Sequence, residues 1–172
     1  ANTAIGKRAF KLGINYANER IQFGEKIANF GAIKEKIATM AARLYGLESS
    51  WNRSAQHIDE VYEELVDQGQ DKLEAKIKSC AEYAMECAII KVYGSEVESY
   101  IVDEALQIHG GMGFSGESEI SVHYRNVRGN RIYEGTNEIN RILTPTMLLR
   151  KAMKGELPFM DCLLYTSDAA DD

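Results

Sequence analysis

The stretch RNVRGNRIYEGTNEINR, residues 125–141, holds the side chains best placed to do chemistry. Three arginines (Arg125, Arg128 and Arg131) lead to one acid, Glu134, set between Tyr133 and Gly135. Thr136 follows at once and is a competent helix N-cap. Such an acid has two readings. It can be a loop carboxylate stabilised by the positive end of the next helix. It can also be a base, because a close, oriented and partly desolvated carboxylate removes weakly acidic protons. Taken alone, the stretch favours the plainer, dipole reading.

Other residue types that could do chemistry are weaker. Gly111-Met112-Gly113-Phe114-Ser115-Gly116 matches GxGxxG letter for letter. A dinucleotide site needs a strand before that motif and a helix opening after it. Here a helical stripe precedes it, so the run is expected to be a loop that lets backbone pass close to something. Cys80 and Cys87 are seven residues apart on one helical face, about 10 Å along the axis. A disulfide tolerates less than about 7 Å, so both are expected to be small core residues. His57, His109 and His123 show no ligand spacing with one another or with cysteine, so no metal site is expected; all three read as surface or loop histidines. Ser121 and His123 do not make a nucleophile–base pair by proximity in sequence alone. Glu60, Glu63 and Glu64 read as a solvated helix end.

The elements that must position Glu134 are helical. Ile5, Ala9, Leu12 and Tyr16 step by four, three and four along a first helix at residues 2–19. Residues 20–31, with two glycines, read as a connection. Phe30, Ile33, Ile37, Met40, Leu44, Leu47 and Trp51 then repeat at helical spacing, and Ile58, Tyr62 and Leu65 prolong the pattern. That helix would run about 50 Å, a length suited to a bundle. After Gly69 the stripe resumes at Leu73, Ile77, Cys80, Ala84 and Cys87, with Gly94 a candidate bend, and continues through Val97, Ile101, Ala105 and Ile108. Gly110-Gly111 can end it in a left-handed conformation. A polar piece spans residues 119–130, and a last helix begins at Thr136 with Pro145 inside it. No stretch alternates with a period of two over a strand's length. The predicted fold is all-α, an up-and-down helical bundle.

Composition agrees with that fold and removes several function classes. The chain has 172 residues, 45% hydrophobic and 27% charged, with net charge −6. It can bury a core and is too balanced for disorder. It has no apolar run near the roughly 20 residues that span a bilayer. The acidic balance gives no footprint for nucleic acid. The last eleven residues, CLLYTSDAADD at 162–172, have no helical period or cap. They resemble a translated sequencing-library adapter and are set aside as non-native, which moves the net charge from −6 to −3. The domain is expected at residues 1–161, truncated at both ends.

Three motifs carry a family resemblance. IYEGTNEINR (132–141) resembles the Tyr-Glu-Gly-Thr segment of acyl-CoA dehydrogenases. QIHGGMGF (107–114) resembles their Gln-x-x-Gly-Gly-x-Gly-Phe loop, and ERIQFGEKI (19–27) their Arg-x-x-Phe-Gly segment. The three occur in the family's order and at about its spacing. The wording at residues 23–38 and 148–158 is nearest the long-chain and bacterial members.

The resemblance implies the C-terminal helical domain of an FAD-dependent acyl-CoA dehydrogenase of fatty acid β-oxidation, without the family's N-terminal helical and middle β-domains. It implies Glu134 as the base that takes the α-proton of an acyl-CoA thioester while flavin N5 takes the β-hydride. Tyr133 and Gly135 would border the substrate. Thr136, Asn137 and Glu138 would face FAD in the same subunit. Arg20, Gln22, Phe23, Gln107, Gly110 and Gly111 would reach a neighbouring subunit's FAD, which implies a homo-oligomer, typically a tetramer. Electron-transfer flavoprotein is the implied acceptor. The implied location is the bacterial cytoplasm, or the mitochondrial matrix in a eukaryote. Gly129 stands where the family usually has a β-branched residue, which is expected to loosen the loop carrying Glu134. Two alternatives remain: a non-catalytic helical oligomerisation module, and an acyl-CoA oxidase of the same fold.

Overall fold

Small residues decide how the first helix packs. In the computed structural model, which describes residues 2–157, α1 (Asn2–Glu19) buries Gly6, Ala9, Gly13 and Ala17. The adapter-like tail at 162–172 lies outside the described residues. Ile5, Leu12 and Tyr16, expected to face the core, are half-buried and flank that line. The reason is closeness of approach: a Cβ on Gly13 would sit 3.4 Å from the Cβ of Ala105 on the central helix.

A two-stranded hairpin follows, β1 (Ile21–Gln22) against β2 (Glu25–Lys26), antiparallel, with Ile21 opposite Lys26. Phe23 and Gly24 turn it at φ 55° and 84°, the left-handed pair that suits a tight hairpin. The long helix is α2 (Gly31–Asp67), about 55 Å at 1.5 Å per residue. Its buried residues are Met40, Leu44 and Leu47. Its second half packs against α3 (Lys72–Glu82), which Asp71 caps by accepting from the Leu73 and Glu74 N–H groups at 2.9 and 3.2 Å.

The break before the central helix is at Tyr83, at φ −100° and ψ 20°, and not at Gly94. Gly94 lies inside α4 (Ala84–His109) at a crossing where a Cβ would come within 3.2 Å of the Leu47 side chain. It is a packing glycine. The cysteines also depart from expectation: Cys80 and Cys87 are exposed. Helix α3 buries Ala75 and Ser79 and leaves Leu73 and Ile77 outside, because its smallest residues allow the closest contact.

Helix α4 is the axis of the domain. It packs against α1, α2, α6 and α7 and buries Val97, Ile101, Val102, Ala105 and Ile108. Each large apolar side chain buried there contributes roughly 1.5–3 kcal/mol. Gly110, at φ 58°, ends it. The glycine run expected as a loop forms a single turn, α5 (Gly111–Phe114), and the polar piece forms α6 (Glu119–Val127) and a 3-10 turn at Arg128–Arg131. The last helix, α7 (Asn137–Met153), contains Pro145. The all-α architecture is as expected, and no helix among the described residues is long and apolar enough to cross a membrane.

One acid in this core is costly. Glu98 on α4 is fully buried, with Oε2 accepting from Asn130 Nδ2 at 2.6 Å and Oε1 without a partner among the described residues. Burial pushes its carboxyl above the usual range. Ionisation is therefore harder in the folded state, and stability declines as pH rises through the ordinary glutamate range toward the raised value. We expect Glu98→Gln to raise the thermal midpoint at about pH 8 and to change it little near pH 4, where the acid is already neutral. An equal offset at both pH values in thermal unfolding would contradict this.

Candidate functional site

Glu134 sits on a bend that its own backbone resists. Glu134 and Gly135 have φ of 58° and 81°, two left-handed residues in succession. For the non-glycine residue that conformation costs on the order of 1 kcal/mol or more and persists only where neighbours hold it. Here they do. The Gly135 carbonyl accepts from Lys91 Nζ at 2.6 Å and from Asn140 Nδ2 at 2.9 Å. The Asn140 amide also reaches the Thr136 carbonyl at 3.1 Å. The Thr136 hydroxyl caps α7 by accepting from Ile139 N–H at 3.3 Å.

The start of α7 is pinned to α4 in the same way. Asn137 is 4% exposed, and its side chain accepts from Lys91 Nζ at 2.9 Å and donates to Ser95 Oγ at 2.9 Å. Arg141 donates to both oxygens of Glu96, at 2.7 and 2.9 Å. Glu138 is exposed, and its carboxyl is held below the usual range by the backbone N–H at the helix start and by the Thr136 hydroxyl. The Tyr133 ring lies over Gly129, where a Cβ would be 3.2 Å from Cε1. Gly129 therefore makes room for Tyr133, a packing role that the sequence did not suggest.

Glu134 borders a cavity of about 690 Å³ between the start of α1, the middle of α2 and the first half of α4. Leu47, Trp51, Ile58 and Ile90 make its walls largely apolar, and Lys91 shares the border with Glu134. An acid at the edge of an apolar cleft suits a substrate with a polar reacting end and a greasy tail.

Other residues singled out by sequence gather at the far end of α4. Arg20, Gln22, Gly110 and Gly111 line a second cavity of about 500 Å³, together with Tyr16 and His109. The Gln22 amide, with its oxygen toward the guanidinium, accepts from Arg20 Nη2 at 2.5 Å and Nε at 3.2 Å. His109, expected on the surface or in a loop, is half-buried and stacks on Tyr16 with ring centroids 4.3 Å apart. Its Nδ1 is 2.7 Å from the Ala105 carbonyl. A Cβ on Gly110 or Gly111 would meet nothing within 4 Å, so both present bare backbone to open space. Phe23, at the hairpin tip, is 93% exposed, and Gln107 is exposed one turn before the glycines. Neither Phe23 nor Gln107 lines this cavity.

The two groups are thus not brought together within one chain. From Lys91 to Gly110 the helix rises about 28 Å. Sequence reasoning found Glu134 and the glycines but missed Lys91, Asn140 and Ser95. The one available signal was a single lysine in an otherwise apolar run, CAIIKVYG (87–94).

A helical domain with an acid on a clamped bend at an apolar cleft and a glycine-lined pocket at the opposite end defines a recognisable class. Residues 1–146 match the acyl-CoA dehydrogenase C-terminal domain, and the chain belongs to that family. It is 48% identical over 155 residues to a probable acyl-CoA dehydrogenase of Bacillus subtilis, covering 90% of this chain and 26% of the relative. It is 41% identical over 129 residues to the mitochondrial very long-chain specific acyl-CoA dehydrogenase of Macaca fascicularis, covering 75% of this chain and 17% of that protein. Its fold superposes on the crystal structure of a Bacillus anthracis acyl-CoA dehydrogenase complexed with FAD, with a TM-score of 0.93 and 46% identity over 98% of this chain and 29% of that one. The chain therefore spans about a quarter or less of the length of the relatives it matches.

Proposed function

We propose that this chain is the C-terminal helical domain of an FAD-dependent acyl-CoA dehydrogenase that desaturates acyl-CoA thioesters between the α and β carbons, in fatty acid β-oxidation. The observation that carries the reading is Glu134, held on a left-handed bend at the border of an apolar cavity. The α-hydrogen of a thioester is only weakly acidic, so its base must be fixed in place. Glu134 is exposed in the single chain, and bound substrate and cofactor would supply the shielding from water. Glu134 takes that proton. Leu47, Trp51, Ile58 and Ile90 exclude water from the acyl chain. Tyr133 and Gly135 border the thioester, with Gly135 offering no side chain to obstruct it.

The residues present suit FAD. Arg20 provides a planar cationic fork of the kind that recognises pyrophosphate, and Gly110 and Gly111 provide bare backbone for close approach. FAD, when bound, supplies the acceptor for the hydride leaving the β-carbon. Thr136, Asn137 and Glu138 lie on the subunit's own flavin side. Asn137 has its amide committed to Lys91 and Ser95, so toward the cofactor it offers backbone. Arg20, Gln22, Phe23, Gln107, Gly110 and Gly111 reach a neighbour's FAD, and the span between the two groups along α4 agrees with that division. The enzyme then works as an oligomer, a tetramer on this reading. Ile139, Ile142 and Leu149, exposed on α7, provide apolar surface for the other copies. The acceptor is electron-transfer flavoprotein and the location the bacterial cytoplasm.

The test is to prepare the complete enzyme containing this chain. It should be yellow, carry one FAD per subunit and reduce an electron acceptor only when acyl-CoA is added. A colourless protein inert to acyl-CoA would contradict the proposal. Rapid oxygen consumption with hydrogen peroxide release would assign the oxidase chemistry instead.

A further inference from the structure

Lys91 is a titratable side chain that the mechanism above does not use, yet it touches the one loop on which that mechanism depends. It is half-buried on α4, within an apolar stretch where a lysine is costly to place. Its Nζ donates to the Gly135 carbonyl at 2.6 Å and to Asn137 Oδ1 at 2.9 Å. One ammonium thus ties the residue after Glu134 to the first residue of α7. It also borders the same cavity as Glu134.

We infer that Lys91 is a positioning residue for proton abstraction: it holds the left-handed Glu134–Gly135 bend so that the carboxylate keeps a single bearing on the cavity. The inference rests on the reading of Glu134 as the base. A non-glycine residue prefers to leave positive φ, and it stays where its neighbours fix the adjoining carbonyl. Without the ammonium, Asn140 still holds the Gly135 carbonyl and Ser95 still holds the Asn137 amide. The helices therefore stay packed, while the bend loses its charged bond, the stronger kind of hydrogen bond. Misplacement of a catalytic group by about 1 Å can cost roughly 10²-fold in rate.

The experiment compares Lys91→Met, Lys91→Arg and Glu134→Gln in the complete flavoenzyme. Lys91→Met should retain FAD and keep KM within about 3-fold, while kcat drops about 10- to 100-fold. Amide hydrogen exchange across residues 132–137 should quicken in the same variant. Lys91→Arg, which keeps a cation of similar reach, should recover most of kcat and of the exchange protection. Unchanged kcat, unchanged exchange, or a loss of KM and FAD together would overturn the inference. Glu134→Gln separates the two ideas: if it is inactive and Lys91→Met is fully active, only the role of Lys91 fails. If Glu134→Gln turns over normally, the base assignment fails and the positioning role falls with it.

Discussion

Glu134→Gln, made in the complete enzyme, should leave FAD bound and acyl-CoA binding intact while lowering turnover by about 10³-fold. General acid–base catalysis contributes roughly 10²–10⁴-fold to such steps. The amide keeps the shape of the carboxylate but cannot take a proton. The substitution leaves the clamp untouched, because Lys91 and Asn140 hold the Gly135 carbonyl and not the acid side chain. The flavin spectrum of the variant should match that of the parent, and steady-state assay with an artificial acceptor measures the loss. Turnover near that of the parent would mean that another group takes the proton.

Gly113→Ala should be the most damaging single-methyl change in the domain. Gly113 is buried in the one-turn helix after Gly110, and a Cβ there would come within 2.6 Å of the Leu106 carbonyl oxygen and 2.8 Å of His109 Cβ. Neither neighbour is the free end of a flexible chain. Overpacking of this kind costs about 2–3 kcal/mol, and the displaced backbone borders the pocket of Arg20, Gly110 and Gly111. Gly111→Ala is the comparison, since its added Cβ would meet nothing within 4 Å. Away from such close contacts, substitutions usually stay within about 0.5 kcal/mol. Denaturant unfolding should therefore show a large loss for Gly113→Ala and almost none for Gly111→Ala. Equal losses would show that the α5 turn is not packed as described.

The long helices were legible because amphipathic spacing extends over many turns in α1 and α2, where one side meets protein and the other meets water. Legibility ended where closeness of packing mattered more than hydrophobicity. Gly6, Gly13 and Ala75 are buried at helix contacts, yet no apolar stripe marks them. Conversely, Leu73 and Ile77 made a stripe that faces outward in the single chain. Helix α4 is covered on several sides, so its sequence has little one-sided pattern from which to place a break. The sequence offers Gly94 as a candidate bend, whereas the chain turns at Tyr83. At the candidate site, Glu134 stood out because a lone acid preceded a cap residue. The clamp did not, because Lys91 lies 43 positions before Glu134 in sequence and meets its loop only through the crossing of α4 and the start of α7.

The claim that organises the site is that Glu134 removes the hydrogen beside the thioester carbonyl. It is tested most directly by incubating the FAD-loaded enzyme with acyl-CoA in deuterium oxide, without oxygen or acceptor, and measuring deuterium at the α-carbon. The parent enzyme should incorporate deuterium there and Glu134→Gln should incorporate none above background. Equal incorporation by both proteins would contradict the account.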